Sequence, residues 1–193
     1  MATKTSSSEA RQRLIETADR LFYRDGFRSV GIDKIIAEAG VAKMTLYSHF
    51  PSKDDLLLAV LQYREQLVTE FFQAAMRRHA KGGKSPLDPF FAALKDWLES
   101  PAFRGCAFIN ATVELANPEH PGAEYCRSQR ERFNGMLKSL IAESIGSKST
   151  RILPAISLLV EGAIVTAQMH QDPKAADVAR DAARVLMEQA AKN

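Results

Sequence analysis

The sequence has only two cysteines, Cys106 and Cys126, among its 193 residues. Two are too few for the disulfide framework that stabilises many small secreted domains. No run of about 18 consecutive apolar residues occurs, so we expect no transmembrane helix and no membrane partner. The first eight residues contain no apolar stretch, so we expect no secretory signal peptide either. Together these absences predict a cytoplasmic protein.

Motifs typical of catalysis and metal binding are also missing. His79, His120 and His170 are dispersed, and neither Cys-x-x-Cys nor His-x-x-x-His spacing occurs. There is no glycine-rich phosphate loop and no nucleophile motif. We therefore expect no enzyme activity, no metal site and no cofactor. Cys106 is interpreted as a packed thiol, and a redox-sensing role for it or for Cys126 stays open.

The composition is that of a globular protein with a small and unevenly placed charge. Apolar residues make up 46% and charged residues 25%, which are ordinary values. Up to Lys53 there are nine Lys and Arg against six Asp and Glu, which accounts for the whole net charge of +3. A polyanionic partner at this end is compatible with the excess, but so small an excess does not identify one.

Apolar residues recur with helical spacing along nearly the whole chain. The first helix has them one, three and four positions apart, at Leu14, Ile15, Ala18, Leu21 and Phe22. Ser6 and Glu9 have the spacing of a capping box, which predicts a helix start near Ser6. Residues 81–86 are the clearest loop. With no convincing period-two run, the sequence predicts an all-α fold of about nine or ten helices.

Residues 32–50 are the most informative segment. Two short helical patterns meet at Gly40, and a tight turn between helices favours glycine because it adopts positive φ without strain. The second helix has apolar anchors at Leu46 and Phe50. Its other face bears small, basic and hydroxyl-bearing side chains, at Ala42, Lys43, Met44, Thr45, Tyr47, Ser48 and His49. Low bulk and hydrogen-bond donors are what a helix needs in the DNA major groove.

The stretch GVAKMTLYSHFPSK, residues 40–53, resembles the recognition helix of the tetracycline-repressor (TetR) family. Further matches around Leu21 and Ile35 extend the resemblance over about residues 11–57. It implies a helix-turn-helix DNA-binding domain of three helices, followed by a helical domain that binds a small molecule and pairs the subunits. Members of the family are homodimers, and effector binding usually releases them from DNA.

This resemblance divides the chain at residue 53. Residues 1–53 are expected to form the DNA-binding domain, with residues 1–8 flexible, and residues 54–193 the ligand-binding and dimerisation domain. One departure from the family pattern lies at the start of the second helix. Val30 and Gly31 stand where a Thr and a Ser often cap that helix or contact a phosphate, which puts that single contact in doubt.

The face expected to contact DNA consists of Lys43, Met44, Thr45, Tyr47, Ser48, His49 and Lys53. The resemblance implies phosphate contacts for Tyr47, His49 and Lys53, and positions nearest the base edges for residues 43–45. Met44 replaces a frequently small residue, and its flexible side chain could meet a thymine methyl group. The target sequence does not follow from that.

Each of these residues also has a simpler interpretation. Tyr47 by itself could be a core aromatic with its hydroxyl at the surface, and His49 a surface or capping histidine. Lys43 and Lys53 could be ordinary solvated lysines. The same holds at least as strongly for Arg28 and Lys34, which could flank the DNA backbone. The motif as a whole is what favours DNA contact.

Polar groups among apolar ones mark a candidate effector pocket in the C-terminal part. The candidates are Phe90, Trp97, Phe108, Asn110, Glu114, Glu161 and Gln168. Buried polar groups need partners, and a partly apolar ligand could supply them. The alternative is that these groups pair with one another or face water.

Two helices, at about residues 121–145 and 149–170, are the candidates for dimerisation. The second combines large aliphatic residues with small ones that let helices approach closely, at Ala155, Ser157, Gly162, Ala163 and Ala167. In the TetR family the corresponding helices form a four-helix bundle across the two-fold axis. Two recognition helices would then reach successive major grooves of a palindrome, about 34–36 Å apart.

The function expected from these features is that of a dimeric, sequence-specific transcriptional repressor that a small-molecule effector releases from its operator. A transcriptional activator with the same DNA-binding domain is one alternative, and a constitutive DNA-binding regulator without an effector is another. A small-molecule enzyme or carrier with a vestigial DNA-binding segment is the most distant alternative. The sequence names neither the effector nor the operator nor the regulated genes.

Overall fold

The structure is a computed structural model that describes residues 2–81 and 85–192, with side chains described from residue 7 onward. Its regular elements in these ranges are all helical, as the sequence predicted. They are α1 (Ala2–Asp25), α2 (Ile32–Ala39), α3 (Lys43–His49), α4 (Lys53–His79), α5 (Asp88–Leu98), α6 (Ala107–Leu115), α7 (Pro121–Ile145), α8 (Ser149–His170) and α9 (Ala175–Lys192). A 3-10 turn joins α7 to α8 without a loop, so the described residues form nine α-helices, or eight when residues 121–170 count as one.

The helix boundaries agree closely with the sequence, except at the start of α1. This helix begins at Ala2, four residues before the predicted start at Ser6. The capping bond predicted for the Ser6 side chain lies outside the described residues. Residues 82–84 of the predicted loop lie outside them as well. Residues 2–25 form one helix, and the flexibility expected for residues 1–8 stays a prediction.

The chain packs into two compact units. Unit 1 runs up to Leu67 and includes Ala107–Ser128, whereas unit 2 comprises Val68–Cys106 and the chain from Gln129 onward. The packing boundaries fall inside α4 and α7 rather than at residue 53. The division of function at residue 53 stays a prediction, because packing does not test it.

The core of unit 1 is built from the apolar faces of α1 to α4. Its fully buried side chains include Leu14, Leu21, Ile35, Leu46 and Leu56. The turn between α2 and α3 depends on Gly40, whose φ of 65° lies in the left-handed region and whose amide caps the last carbonyls of α2. Glycine reaches this conformation without a Cβ penalty, which confirms the reason for expecting glycine at this turn.

A buried ion pair connects α1 to α4 within unit 1. The Arg64 guanidinium donates two hydrogen bonds to the Asp19 carboxylate, at 2.7 and 2.6 Å. The guanidinium also lies 4.2 Å from the centre of the Tyr23 ring. Burial raises the pKa of Asp19, and the charge and hydrogen bonds of Arg64 oppose that rise. The pair offsets the cost of burying each charge because it satisfies both groups in two-pronged geometry.

Unit 2 has a separate, aromatic-rich core. Phe72 stacks on Phe90 with ring centres 5.6 Å apart, and Phe90 meets Phe91 edge to face. Around them α5, α7, α8 and α9 contribute aliphatic side chains such as Leu137 and Ile156. The helices α8 and α9 pack against each other, and α9 also packs against α5.

One stretch meets the length and composition of a membrane span, although the sequence has no uninterrupted apolar run of that length. It lies within Pro121–His170, where an 18-residue window has a mean hydropathy of 1.7 and is 39% buried. The expectation considered only uninterrupted apolar runs, whereas an average tolerates single polar residues such as Ser157 and Glu161. Core helices of soluble proteins meet the same criterion, and α8 places eight residues in buried positions.

We predict that Asp19→Ala destabilises the protein by about 2–4 kcal/mol, because Arg64, whose side chain is only 18% exposed, is left without its counter-charge. Urea unfolding followed by circular dichroism measures this change. Asp33→Ala is the matched control, since the Asp33 side chain is 84% exposed and its pair with Lys43 is long, at 3.4 Å. An Asp19→Ala variant as stable as the control would contradict the assigned role of the pair.

Candidate nucleic-acid interface

Helix α3 is held in place by its two apolar anchors. Leu46 is fully buried and Phe50 is 3% exposed, and α3 contacts both α1 and α2. The Arg11 guanidinium lies 5.2 Å from the centre of the Phe50 ring, which covers that anchor from α1. A seven-residue helix is not stable by itself in water, so this tertiary packing is what maintains it.

The predicted contact residues share the opposite, solvent-facing side of α3. Met44 is 79% exposed and Tyr47 is 40% exposed. Lys43 and Ser48 are exposed as well, whereas Thr45 and His49 are half-buried at the edges of this face. The structure therefore brings six of the seven predicted residues together on one short helix, with the seventh, Lys53, at the start of α4.

Three of these polar groups already have contacts within unit 1. The Ser48 hydroxyl donates to the carbonyl of Thr45 at 2.8 Å. The Lys43 ammonium donates to Asp33 at 3.4 Å, with both groups largely exposed. His49 Nε2 lies 3.5 Å from the hydroxyl of Ser7 on α1. Ser7 and Arg11 were not singled out by the sequence, because their closeness to α3 arises only from packing.

Lys53 has a structural role that the sequence did not predict. Its ammonium donates to the carbonyl of Phe27 at 2.6 Å and lies 4.3 Å from the centre of the Phe27 ring. Partial burial lowers the pKa of Lys53. The side chain thus connects the start of α4 to the turn between α1 and α2, and a phosphate contact would use its remaining hydrogens.

Glu114 of α6 also contacts the turn between α1 and α2. Its carboxylate accepts a hydrogen bond from the Arg28 backbone amide at 2.9 Å, and the Arg28 guanidinium donates to the Leu115 carbonyl at 3.4 Å. Gly26 in this turn has a φ of 87°, and a Cβ there would lie 3.3 Å from the Glu114 oxygens. Glu114 was predicted to line an effector pocket, and that stays a prediction; in this structure its carboxylate supports the turn between α1 and α2.

The other two pocket candidates in unit 1 are partly or fully enclosed. Phe108 is 6% exposed and belongs to the core. Asn110 borders a cavity of about 40 Å³ together with Asp19 and Arg64. This volume has room for about one water molecule and not for an organic effector.

The remaining pocket candidates lie in unit 2, each with a contact of its own. Phe90 is fully buried in the core, and Trp97 packs edge to face on Phe103. Glu161 forms an ion pair with Arg130. Gln168 donates to the carbonyl of Arg104 at 3.1 Å.

Arg130 is a notable residue of unit 2 that the sequence did not indicate. It donates to the Ser157 hydroxyl at 2.7 Å, and that hydroxyl donates in turn to the side-chain oxygen of Asn134 at 2.8 Å. The guanidinium lies 5.1 Å from the Phe133 ring centre, and burial lowers the pKa of Arg130. In sequence Arg130 is one of several charged residues on an amphipathic helix, so no signal distinguishes it.

Metal coordination finds no geometric support in the part of the chain that the structure describes. Residues 2–81 and 85–192 contain no group of three or more His, Cys, Asp or Glu side chains that could hold an ion. Cys106 is half-buried and Cys126 is buried.

Two comparisons with known proteins lead to the same family, one over part of the N-terminal half and the other over nearly the whole chain. Residues 14–60 match the family described as bacterial regulatory proteins, tetR family. Over its full length the chain is similar to the crystal structure of SCO4454, a TetR-family transcriptional regulator from Streptomyces coelicolor. The TM-score is 0.84 and the identity 32%, and the match covers 95% of this chain and 97% of the other.

Two curated relatives match over about a third of the chain. YxaF of Bacillus subtilis, an uncharacterized HTH-type transcriptional regulator, is 33% identical over 73 residues, which are 37% of this chain and 38% of YxaF. FasR of Mycolicibacterium smegmatis, an HTH-type transcriptional activator, is 43% identical over 67 residues, which are 34% of this chain and 31% of FasR. The matched part thus spans 38% of YxaF and 31% of FasR, about a third of each relative.

We predict that Glu114→Ala destabilises the protein by about 0.5–1.5 kcal/mol, because the exposed Arg28 amide loses its side-chain acceptor and water replaces it only in part. Hydrogen exchange should show faster exchange at the Arg28 amide, and urea unfolding measures the stability. Glu119→Ala is the control, as Glu119 is an exposed acid only five residues away. Unchanged exchange at Arg28 would show that Glu114 does not hold the turn.

Proposed function

Since the chain belongs to the TetR family of DNA-binding transcriptional regulators, we propose that it is a homodimeric repressor that a small-molecule effector releases from a palindromic operator. The observation that supports DNA binding most directly is the outward face of α3. Six predicted contact residues lie on it, opposite two buried anchors. We propose cytoplasmic localisation for the same reason, since its target is DNA.

In this proposal α3 enters the major groove, and the residues on its face divide by role. Tyr47, His49 and Lys53 contact phosphates, which positions the helix without reading sequence. Residues 43–45 face the base edges, where donor and acceptor patterns differ between base pairs. The exposure of Lys43 and the partial exposure of Thr45 leave both side chains accessible for such contacts.

The exposed apolar side chains of unit 2 support a dimer interface on α8 and α9. Leu158 and Met169 of α8 are 67% and 72% exposed, and Val178 and Val185 of α9 are 70% and 53% exposed. A broad groove of about 790 Å³ lies between these helices. Among the described residues, α7 exposes no comparable large apolar side chain. We therefore propose α8 with α9, in place of the α7 and α8 pair expected from the sequence.

The effector is proposed to be partly apolar and to bind in the C-terminal part of the chain. Support comes from the aromatic side chains of unit 2 and from the buried polar group around Arg130, which gives an apolar interior a few polar contacts. An effector shifts the equilibrium between DNA-binding and released dimers only by its difference in affinity for the two.

An activator with the same DNA-binding face is the second candidate. FasR, the relative with the activator name, is 43% identical over 67 residues, which are 34% of this chain. The α3 face supports operator binding equally well for either direction of regulation. A reporter gene controlled by the selected operator, compared in strains with and without the protein, separates the two. Repression predicts higher expression in the strain without it.

We predict that the purified protein enriches a palindrome from a pool of random duplexes, with half-sites about 10 base pairs or a multiple apart. Affinity for the enriched duplex should fall steeply with salt concentration, because phosphate contacts release counterions. Tyr47→Phe removes one hydroxyl and should weaken binding by about tenfold on all sequences alike. Substitutions at Lys43 or Thr45 should instead change the preferred sequence. Weak, sequence-independent binding would contradict the proposal.

We further predict that Val178→Asp converts the dimer to a monomer, because it places a charge in an apolar interface. Analytical ultracentrifugation should show a mass of about twice 21.4 kDa for the unmodified chain and 21.4 kDa for the variant. Val113→Asp is the matched control, because Val113 of α6 is 73% exposed and lies off the α8 and α9 face. An unchanged dimer in Val178→Asp would place the interface elsewhere.

A further inference from the structure

Met44 is the most exposed large apolar side chain in the part of the chain that the structure describes. Its exposed fraction is 79%, against 73% for Val113 and 72% for Met169. An apolar side chain gains free energy when it leaves water, and no part of unit 1 covers this one. Its position on the DNA-binding face makes DNA the surface that would cover it.

The buried anchor fixes the direction in which Met44 points. With 3.6 residues per turn, a residue two positions before Leu46 lies about 160° around the helix from it. Leu46 is fully buried, so Met44 lies almost opposite the core. Ser48, two positions after Leu46, also lies about 160° around the helix from it, in the opposite direction. Its hydroxyl already donates to the Thr45 carbonyl. Met44 is therefore the outermost side chain on the central line of this face.

The side chains around Met44 are polar, and Met44 itself offers no hydrogen to donate. The neighbouring Lys43 and Tyr47 can reach phosphates or base edges, whereas a thioether is a weak acceptor only. In the major groove every base edge presents polar atoms, and the one bulky apolar group is the 5-methyl of thymine. Placed against an amino or carbonyl group, Met44 would remove water from it without replacing the hydrogen bond.

We propose that Met44 is a specificity-determining residue that contacts the 5-methyl group of one thymine in each half-site of the operator. This inference rests on the proposed operator binding by α3 and adds the base that the outermost residue selects. Burial of the thymine methyl group against Met44 favours thymine at that position. Other bases are disfavoured there, because Met44 would remove water from their polar edges without replacing the hydrogen bonds.

The test begins with the duplex that the unmodified protein selects from a random pool. Each thymine of one half-site is replaced in turn by deoxyuridine, which removes only the methyl group and keeps every hydrogen bond. At one position we expect about a fourfold loss of affinity, which corresponds to about 0.8 kcal/mol for one buried carbon. Replacement in both half-sites should give about a 15-fold loss. Fluorescence anisotropy at fixed salt measures these changes.

The Met44→Ala variant shows whether the lost affinity comes from this side chain. It should bind the thymine and deoxyuridine duplexes equally well, because it has no side chain long enough to reach the methyl group. Val113→Ala is the control, another exposed apolar residue of unit 1 that lies outside α3. This control should retain the full fourfold preference. A duplex with 5-methylcytosine at the same position should bind the unmodified protein about fourfold better than one with cytosine.

The possible results separate this inference from the proposed function. An effect at one thymine that disappears in Met44→Ala supports the inference. A selected palindrome with no methyl-sensitive thymine, or with the same sensitivity in Met44→Ala, overturns the role of Met44 and leaves operator binding intact. If no sequence is enriched by the unmodified protein, the proposed function fails, and the inference fails with it.

Discussion

The burial of Leu46 and Phe50 is the constraint on which the DNA-binding surface depends. Helix α3 has only seven residues, too few to be stable without tertiary contacts. Because these two anchors pack into unit 1, they determine the rotation of the helix and therefore which side chains face outward. The exposure of Met44 and Tyr47 is a consequence of that rotation. Every contact proposed for α3 follows from the same packing.

At the turn between α1 and α2, two charged side chains form hydrogen bonds within the protein itself. Lys53 donates to the Phe27 carbonyl, and Glu114 accepts from the Arg28 amide. From sequence the two were assigned to a phosphate and to an effector. In the structure both fix the position of one turn, which brings α4 and α6 into contact with the helices that support α3. Changes in α6 would therefore reach the DNA-binding helices through hydrogen bonds and not only through apolar packing.

The sequence predicted the helices well where strong local signals coincide. The apolar stretches of α7 and α8 are bounded by glycine or proline, and both helices begin and end where the sequence predicted, at residues 121–145 and 149–170. The start of α1 was placed four residues too late, because a capping box is a signal of two residues in a stretch that otherwise lacks apolar spacing. The dimer face expected from the sequence, on α7 and α8, differs from the one we propose, on α8 and α9, because composition alone does not show which apolar residues the protein's own core covers. In the structure that core uses the apolar side of α7 and leaves Val178 and Val185 of α9 exposed.

The sequence by itself determined the all-helical fold and the motif of residues 40–53, because helical period and turn residues act over a few positions. It also determined which residues share the outer face of α3, since their spacing relative to Leu46 is set by helix geometry. Only the tertiary structure decided which partners the charged groups find within the protein. Asp19 pairs with Arg64 across 45 positions, and Glu114 accepts a hydrogen bond from the Arg28 backbone amide across 86. Such pairs depend on how distant helices pack, and no local pattern in the chain encodes that distance.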